Sequence, residues 1–410
     1  MHNVDYLIIG GGIAGTTAAE KIREQDSAST IHIVTAEHHQ FYSRMMLSKP
    51  SFYLEKTPTE AVYVRPPEWF TEHHIDTTIG HGAASLDIVQ KVVTLENGEQ
   101  LQYKKLLLAL GTGVRKWAVP GADKQNVLHL RTLDDAEQVT KAIKTTKHAT
   151  IIGGGFIAFE MCNLFHAAGI PTSLILREKY FWEPLLDEIS GKIIETALEK
   201  NGVRIMHETM VEEVLGDEAV SAVRLNSGQQ MDTDLIIVGI GTECPLEWVS
   251  KAGVATHCGI LADEYLATSA PDVWTAGDVA EYKDLILDEN IQFGNWMNAH
   301  KQGEAAAINM LGQHQPFHDV SHYTAEAMGV SIAFAGDVRM MEGRKIVERG
   351  SPELGYTRMI LRDGLVEGAT MVNRPQDLAP LMKIIEQRKS VETSLKQLSD
   401  PMFDLQGLLT

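Results

Sequence analysis

Three glycines at the spacing Gly10-x-Gly12-x-x-Gly15 follow a β-branched run and open a helical pattern. Each has a distinct task. The first allows a tight turn, the second lets backbone approach a pyrophosphate, and the third admits close helix packing, while the helix N-terminus favours anionic phosphate. Glu37 lies twenty-two residues beyond Gly15, where a carboxylate at the end of the next strand can accept hydrogen bonds from a ribose. The ten residues Tyr6 to Gly15 recur 143 positions later as Ala149 to Ala158. Gly153, Gly155 and Ala158 therefore mark a second nucleotide-binding turn, closed by Glu160.

The elements that hold these turns are legible around them. In both copies a strand meets the glycines and a helix follows, with apolar spacing at Ala14, Ala18 and Ile22 and at Phe159, Leu164 and Phe165. A second apolar strand comes next, Ile31 to Val34 and Ser173 to Leu176, which begins a parallel crossover. Leu106 to Gly113 reads as a buried strand ending in glycines, and Val119-Pro120-Gly121-Ala122 as a domain crossing. Leu235 to Val238 leads into Gly239-Ile240-Gly241, and Asp272 to Asp278 is a further strand ending on Gly277-Asp278. From about Ser321 the pattern turns to short alternating strands, Val330 to Phe334 and Arg358 to Leu361, and a last helix near Leu378 to Gln387. This predicts an α/β protein: one dinucleotide-binding domain over 1–120 and 245–320, a second over 121–244, and a small α+β domain over 321–410.

Composition narrows the class. The 410 residues are 44% hydrophobic and 22% charged, average for globular chains and unlike disordered or fibrous ones. Lys plus Arg number 36 against 55 Asp plus Glu, a net charge of -19, which repels a phosphate backbone and argues against a nucleic-acid partner. Cys162, Cys244 and Cys258 lie 82 and 14 residues apart, in no zinc-type or CxxC spacing, and predict a reducing compartment without a metal site. No apolar run reaches the ~20 residues of a membrane span and no targeting segment is recognisable, so a cytoplasmic protein away from membranes is expected. Residues 321–410 carry 11 basic and 12 acidic side chains, nearly neutral in an acidic chain, which leaves a docking or homodimer role open for that domain.

With five motifs in order, Gly10 to Gly15, Glu37 to Lys49, Leu108 to Gly111, Gly153 to Glu160 and Thr268 to Asp278, the chain resembles the two-dinucleotide-binding flavoproteins of the glutathione reductase type. Within them it is similar to NAD(P)H:ferredoxin and rubredoxin reductases and apoptosis-inducing factor. The resemblance implies FAD on Gly10, Gly12, Gly15, Gly277 and Asp278, and a nicotinamide nucleotide on Gly153, Gly155 and Ala158, with Gly239 and Gly241 as further cofactor-binding positions. Glu37 to Lys49 resembles the ferredoxin reductase pattern E-x-x-x-P-Y-x-R-P-P-L-S-K, with Phe41, Met45 and Met46 in place of its prolines. It implies Arg44 near the FAD and Lys49 beside flavin N5, paired with Glu160. Phe156 then takes the place of an aromatic gate over the flavin. Trp296, in a stretch similar to W-x-N-A-x-x-Q-G, is expected near the isoalloxazine. The family's A-T-G motif reads Ala109-Leu110-Gly111 and loses a hydroxyl.

No cysteine precedes Cys162, so a redox disulfide of the CxxxxC type is excluded and electrons must pass to an external acceptor. The resemblance favours a small iron–sulfur or rubredoxin-like protein. Three other readings stay open: an NAD(P)H oxidase or quinone reductase, a redox sensor like apoptosis-inducing factor, and the reductase part of a nitrite reductase. The second strand of the second unit runs into Leu176-Arg177-Glu178 rather than ending on an acid, and Arg177 beside a 2'-phosphate favours NADPH, with NADH possible and Glu178 and Glu183 against it. The run of Arg339, Arg344, Lys345 and Arg349, diluted by Glu342 and Glu348, reads as a solvated hairpin or dimer contact, with docking of an acidic ferredoxin as the alternative.

Overall fold

The computed structural model describes residues 2–54 and 57–409. The chain divides into two compact units, Met1–Met45 with Pro58–Gly113 and Thr242–Ser321, and Met46–Thr57 with Val114–Gly241 and His322–Thr410. Chain crossings at 113, 241 and 321 compare with sequence boundaries at 120, 244 and 320.

In the first unit the strand His2–Ile9 runs parallel to Ile31–Thr35 on one side and Gln100–Leu108 on the other, and Val273–Thr275 joins Gln100–Leu108 as a further parallel partner. Ile75–Ile79 and the strands Ala83–Asp87 and Val92–Leu95 complete a seven-stranded sheet. Register decides what this achieves. Ile9 is opposite Val34 and Leu108, and Leu108 is opposite Thr275. Gly10, Glu37, Ala109 and Gly277-Asp278 therefore leave the sheet at one edge, its carboxyl end, where open α/β sheets bind ligands. The helix Ile13–Gln25 buries Ala14, Ala18 and Ile22, and full burial of Ile22 alone is worth about 2 kcal/mol. The helix Trp296–Met310 packs on it closely enough that a Cβ at Gly303 would lie 2.4 Å from the Ala14 carbonyl oxygen.

The second unit repeats the pattern in a five-stranded parallel sheet, ordered Val203–Met206, Thr172–Ile175, Ala149–Ile152, Leu235–Val238, Val127–Leu128. The three central strands are buried at every residue, as expected of a parallel sheet covered on both faces. A five-stranded antiparallel sheet, with the helix Leu378–Glu386, forms residues 322–386. Polar ties join it to the dinucleotide-binding part: the Tyr356 hydroxyl donates to Asp187 at 2.7 Å, Arg358 to the Leu185 carbonyl at 3.0 Å, and Asn201 to the Met328 carbonyl at 3.2 Å. Residues 322–410 consequently share a unit with 114–241. The short piece Met46–Thr57, assigned by sequence to the first domain, also falls in this unit, tied by Lys49 to Glu160.

Candidate nucleotide sites and active-site ion pair

The first glycine turn is closed to side chains at two positions and open at the third. Gly10 has φ +124°, and a Cβ there would lie 2.1 Å from the Ala109 carbonyl oxygen. A Cβ on Gly15 would meet the Gly10 oxygen at 2.0 Å, whereas one on Gly12 would meet nothing within 4 Å. Gly12 caps the helix without a side-chain hydrogen bond, so the first-turn N–H groups keep their donor capacity beside that open space. The loop after the next strand brings Glu37, Tyr42 and Arg44 together. The Glu37 carboxylate accepts from the Arg44 guanidinium and the Tyr42 hydroxyl, and Arg44 also donates to the Tyr42 oxygen at 3.0 Å. Two residues that the sequence offered as separate ligands thus form one ion pair, and Tyr42 was missed as their link.

At the same sheet edge Ala109 donates its N–H to Ile9 at 2.8 Å and Gly111 takes φ +64°. Gly277, at φ +82°, donates its N–H to the Gln302 side chain at 2.8 Å, and the Asp278 carbonyl accepts from Gln292 at 2.6 Å. Trp296 begins the helix that holds this turn. Its indole Nε1 is buried with no hydrogen-bond partner, as is Asn298 Oδ1. Buried polar atoms are almost always satisfied. An open cradle, an uncapped helix and orphaned polar atoms on the supporting helix fit a dinucleotide ligand.

The second unit holds a cavity of about 460 Å³ lined by Gly153, Gly155, Arg177, Glu178, Gly239 and Gly241, with Trp182. Gly153, at φ +100°, would place a Cβ 2.4 Å from the Gly239 oxygen, repeating the relation of Gly10 to Ala109. Ala158 is fully buried where the first turn has Gly15. Arg177 and Glu178 pair at 3.0 Å, with the arginine side chain 78% exposed and the glutamate 23%. Phe156, the first residue of the next helix, is caged by Trp182 at 4.1 Å, Tyr323 at 3.9 Å and Phe334 at 5.5 Å between ring centroids. Trp182 thus touches both the cavity and Phe156. Residue spacing carries no sign of this cage, which draws on strands more than 160 residues downstream.

Lys49 and Glu160 form an ion pair at 2.7 Å, the lysine 40% and the glutamate 12% exposed. Burial first, and the Glu160 charge second, push the Tyr53 and Tyr323 hydroxyls above the ordinary phenol range. The pair therefore sits among poorly solvated groups. Cys162, two residues on in the same helix, is fully buried, and burial pushes its thiol up to about 12. It stays protonated at neutral pH and offers no thiolate relay.

The basic run is neither a docking patch nor a solvated hairpin at two of its four cations. Arg344 has no exposed side-chain surface and is held by Asp337 at 2.9 Å and Glu367 at 2.6 Å. Arg349 is 3% exposed and pairs with Asp377 at 3.2 Å while donating to the Leu398 and Phe403 carbonyls. Both are internal fasteners. Charge count alone could not reveal it, because their acidic partners lie 7 to 28 residues away.

Two dinucleotide-binding folds on one chain, with an ion pair on the helix of the second and no redox disulfide, define a two-nucleotide flavoprotein reductase. The chain belongs to the pyridine nucleotide-disulphide oxidoreductase family, whose pattern matches residues 4–303, and a reductase C-terminal domain matches 325–409. It is an FAD-dependent enzyme with NAD(P)H as electron donor. It is 32% identical, over 98% of its length and 97% of the relative's, to the biphenyl dioxygenase system ferredoxin–NAD(+) reductase component of Paraburkholderia xenovorans (strain LB400). The ferredoxin reductase for the CYP199A2 system of Rhodopseudomonas palustris superposes with TM-score 0.91 at 26% identity, covering 100% of both chains. The reductase in a covalent putidaredoxin reductase–putidaredoxin complex gives 0.92 at 25% identity, covering 100% of this chain and 99% of that one. Among the described residues no helix is long and apolar enough to cross a membrane.

Proposed function

We propose that this chain oxidises NADH and passes the electrons singly to a small iron–sulfur protein of the ferredoxin type. Bound FAD supplies the chemistry that no side chain can, accepting a hydride and releasing electrons one at a time. The observation that carries the reading is the Lys49–Glu160 pair at 2.7 Å in a site without a reactive thiol. An external acceptor is then required, and the ferredoxin-linked relatives support a protein one. Gly10, Gly12, Gly15, Glu37, Arg44, Ala109, Gly111, Gly277, Asp278 and Trp296 would hold the FAD. Gly153, Gly155, Ala158, Gly239 and Gly241 would hold the nicotinamide nucleotide, with Phe156 as a movable cover. Lys49 and Glu160 present a fixed charge pair that orients the reacting groups. The three free cysteines suit a cytoplasmic setting.

The nicotinamide reading moves from NADPH to NADH. Arg177 and Glu178 both line the cavity, but the arginine is mostly in solvent and spends its guanidinium on Glu178, whose carboxylate can accept from a ribose 2'-hydroxyl and repel a 2'-phosphate. The ferredoxin–NAD(+) reductase relatives support the same choice. The purified protein should prefer NADH by about 10- to 100-fold in kcat/KM, and Glu178→Gln should shrink that ratio about tenfold, or ~1.4 kcal/mol. Equal use of both nucleotides by the parent, or an unchanged ratio in the variant, would contradict this assignment.

A further inference from the structure

Among the described residues one set of metal-ligating side chains converges outside the nucleotide sites: His257, Cys258 and Glu281, whose ligand atoms all lie within 4.8 Å of one another. Glu281 is buried, at 7% exposure, on the strand Ala280–Asp284, and the loop folds around its carboxylate. One oxygen accepts the Cys258 and Gly259 N–H groups at 2.9 Å each, and the other contacts His257 Nδ1 at 2.9 Å. With Nδ1 as the donor in that contact, the other ring nitrogen, Nε2, is the one turned toward the Cys258 sulfur. Nε2 lies 4.0 Å from the Cys258 sulfur, and both side chains are solvent-exposed.

This distance is informative. A cation bound to sulfur at ~2.3 Å and nitrogen at ~2.0–2.1 Å holds the two ligands about 3.6 Å apart in a tetrahedral arrangement and about 4.3 Å apart in a linear one. The observed separation falls between them, so one cation fits between the atoms after a small side-chain adjustment. A carboxylate on the far ring nitrogen is the usual outer partner of a metal-bound histidine, fixing its tautomer and raising its basicity. Glu281 is already in that position. The spacing rules of the sequence, which predict no metal, miss the group because the two inner ligands are chain neighbours and the outer one is 23 residues away.

We infer that His257 Nε2 and Cys258 Sγ, with Glu281 orienting the ring, form a surface site for a thiophilic divalent cation such as Zn2+. Binding replaces the thiol proton, which leaves to solvent, and water completes the coordination shell. The site belongs to the first unit and is independent of the electron-transfer reading.

The test uses the full-length FAD-loaded protein under reducing conditions. Zn2+ is titrated against a colorimetric chelator, and Cd2+ is added separately to read the thiolate-to-metal absorption in the near ultraviolet. The parent should take up one equivalent of competing Zn2+ and show the thiolate band. Cys258→Ser should abolish the band, and it and His257→Gln should each weaken Zn2+ binding about tenfold or more. Both substitutions are at exposed positions, so the visible flavin spectrum and thermal midpoint should be those of the parent. Uptake that is unchanged in both variants, or a parent with no thiolate band, would overturn the site.

Discussion

Glu160→Gln should slow the bleaching of the flavin by NADH about 10- to 100-fold, while FAD content stays at one per chain. The substitution keeps the shape of the side chain and removes its charge. Lys49, 2.7 Å away, then loses the counter-charge that fixes it, among groups already poorly solvated, as the raised phenols of Tyr53 and Tyr323 show. A factor of 10 to 100 corresponds to about 1.4–2.7 kcal/mol of lost transition-state stabilisation. Lys49 is 40% exposed, so solvent screening limits what the pair contributes to folding, and the thermal midpoint should move little. Anaerobic stopped-flow absorbance separates the two roles. A slower limiting rate at unchanged nucleotide affinity assigns the pair to the chemical step, and a rate within about twofold of the parent would make it structural.

Arg344→Met should cost the second unit about 3–5 kcal/mol, because Asp337 and Glu367 would be left buried and facing each other without their shared cation. Arg362 pairs with Glu367 and Arg339 with Asp337 at the periphery, which sets the loss at the lower end of that range. Differential scanning calorimetry should show the midpoint falling by roughly 5–10 °C. Lys345→Glu, one residue on and exposed, should leave it within about 2 °C. If both variants melt alike, Arg344 is not the fastener the geometry makes it.

These two sites also show where sequence reading succeeds and where it stops. The glycine turns were legible because their cause is local: a Cβ at Gly10 or Gly153 would strike the neighbouring strand's backbone, and that constraint is written into residue type and spacing. The strands were legible for the same reason, so that Leu235–Val238 appears where the apolar run put it and Thr172–Ile175 begins one residue earlier than its run. Lys49 and Glu160 stand 111 residues apart. Only resemblance joined them beforehand, since nothing in either's neighbourhood names the other. The basic run at 339–349 was misread because charge does not say which way a side chain points. Arg344 turns inward to acids from two other strand ends, and Arg349 occupies the buried position in the exposed edge strand Lys345–Ser351. Tyr42 between Glu37 and Arg44, and Trp182 between the cavity and Phe156, escaped for a related reason: their value lies in a contact, not in a motif.

Electron release from this flavoprotein is expected to proceed singly, to a ferredoxin-type protein. Its most direct measurement is the steady-state oxidation of NADH by the FAD-loaded enzyme, with cytochrome c as the final reporter, in the presence and absence of a purified [2Fe–2S] ferredoxin. Cytochrome c reduction should saturate with ferredoxin concentration, exceed the ferredoxin-free rate at least tenfold, and consume one NADH per two cytochromes. A rate that no ferredoxin raises, with NADH consumed as fast by oxygen or a quinone alone, would contradict it.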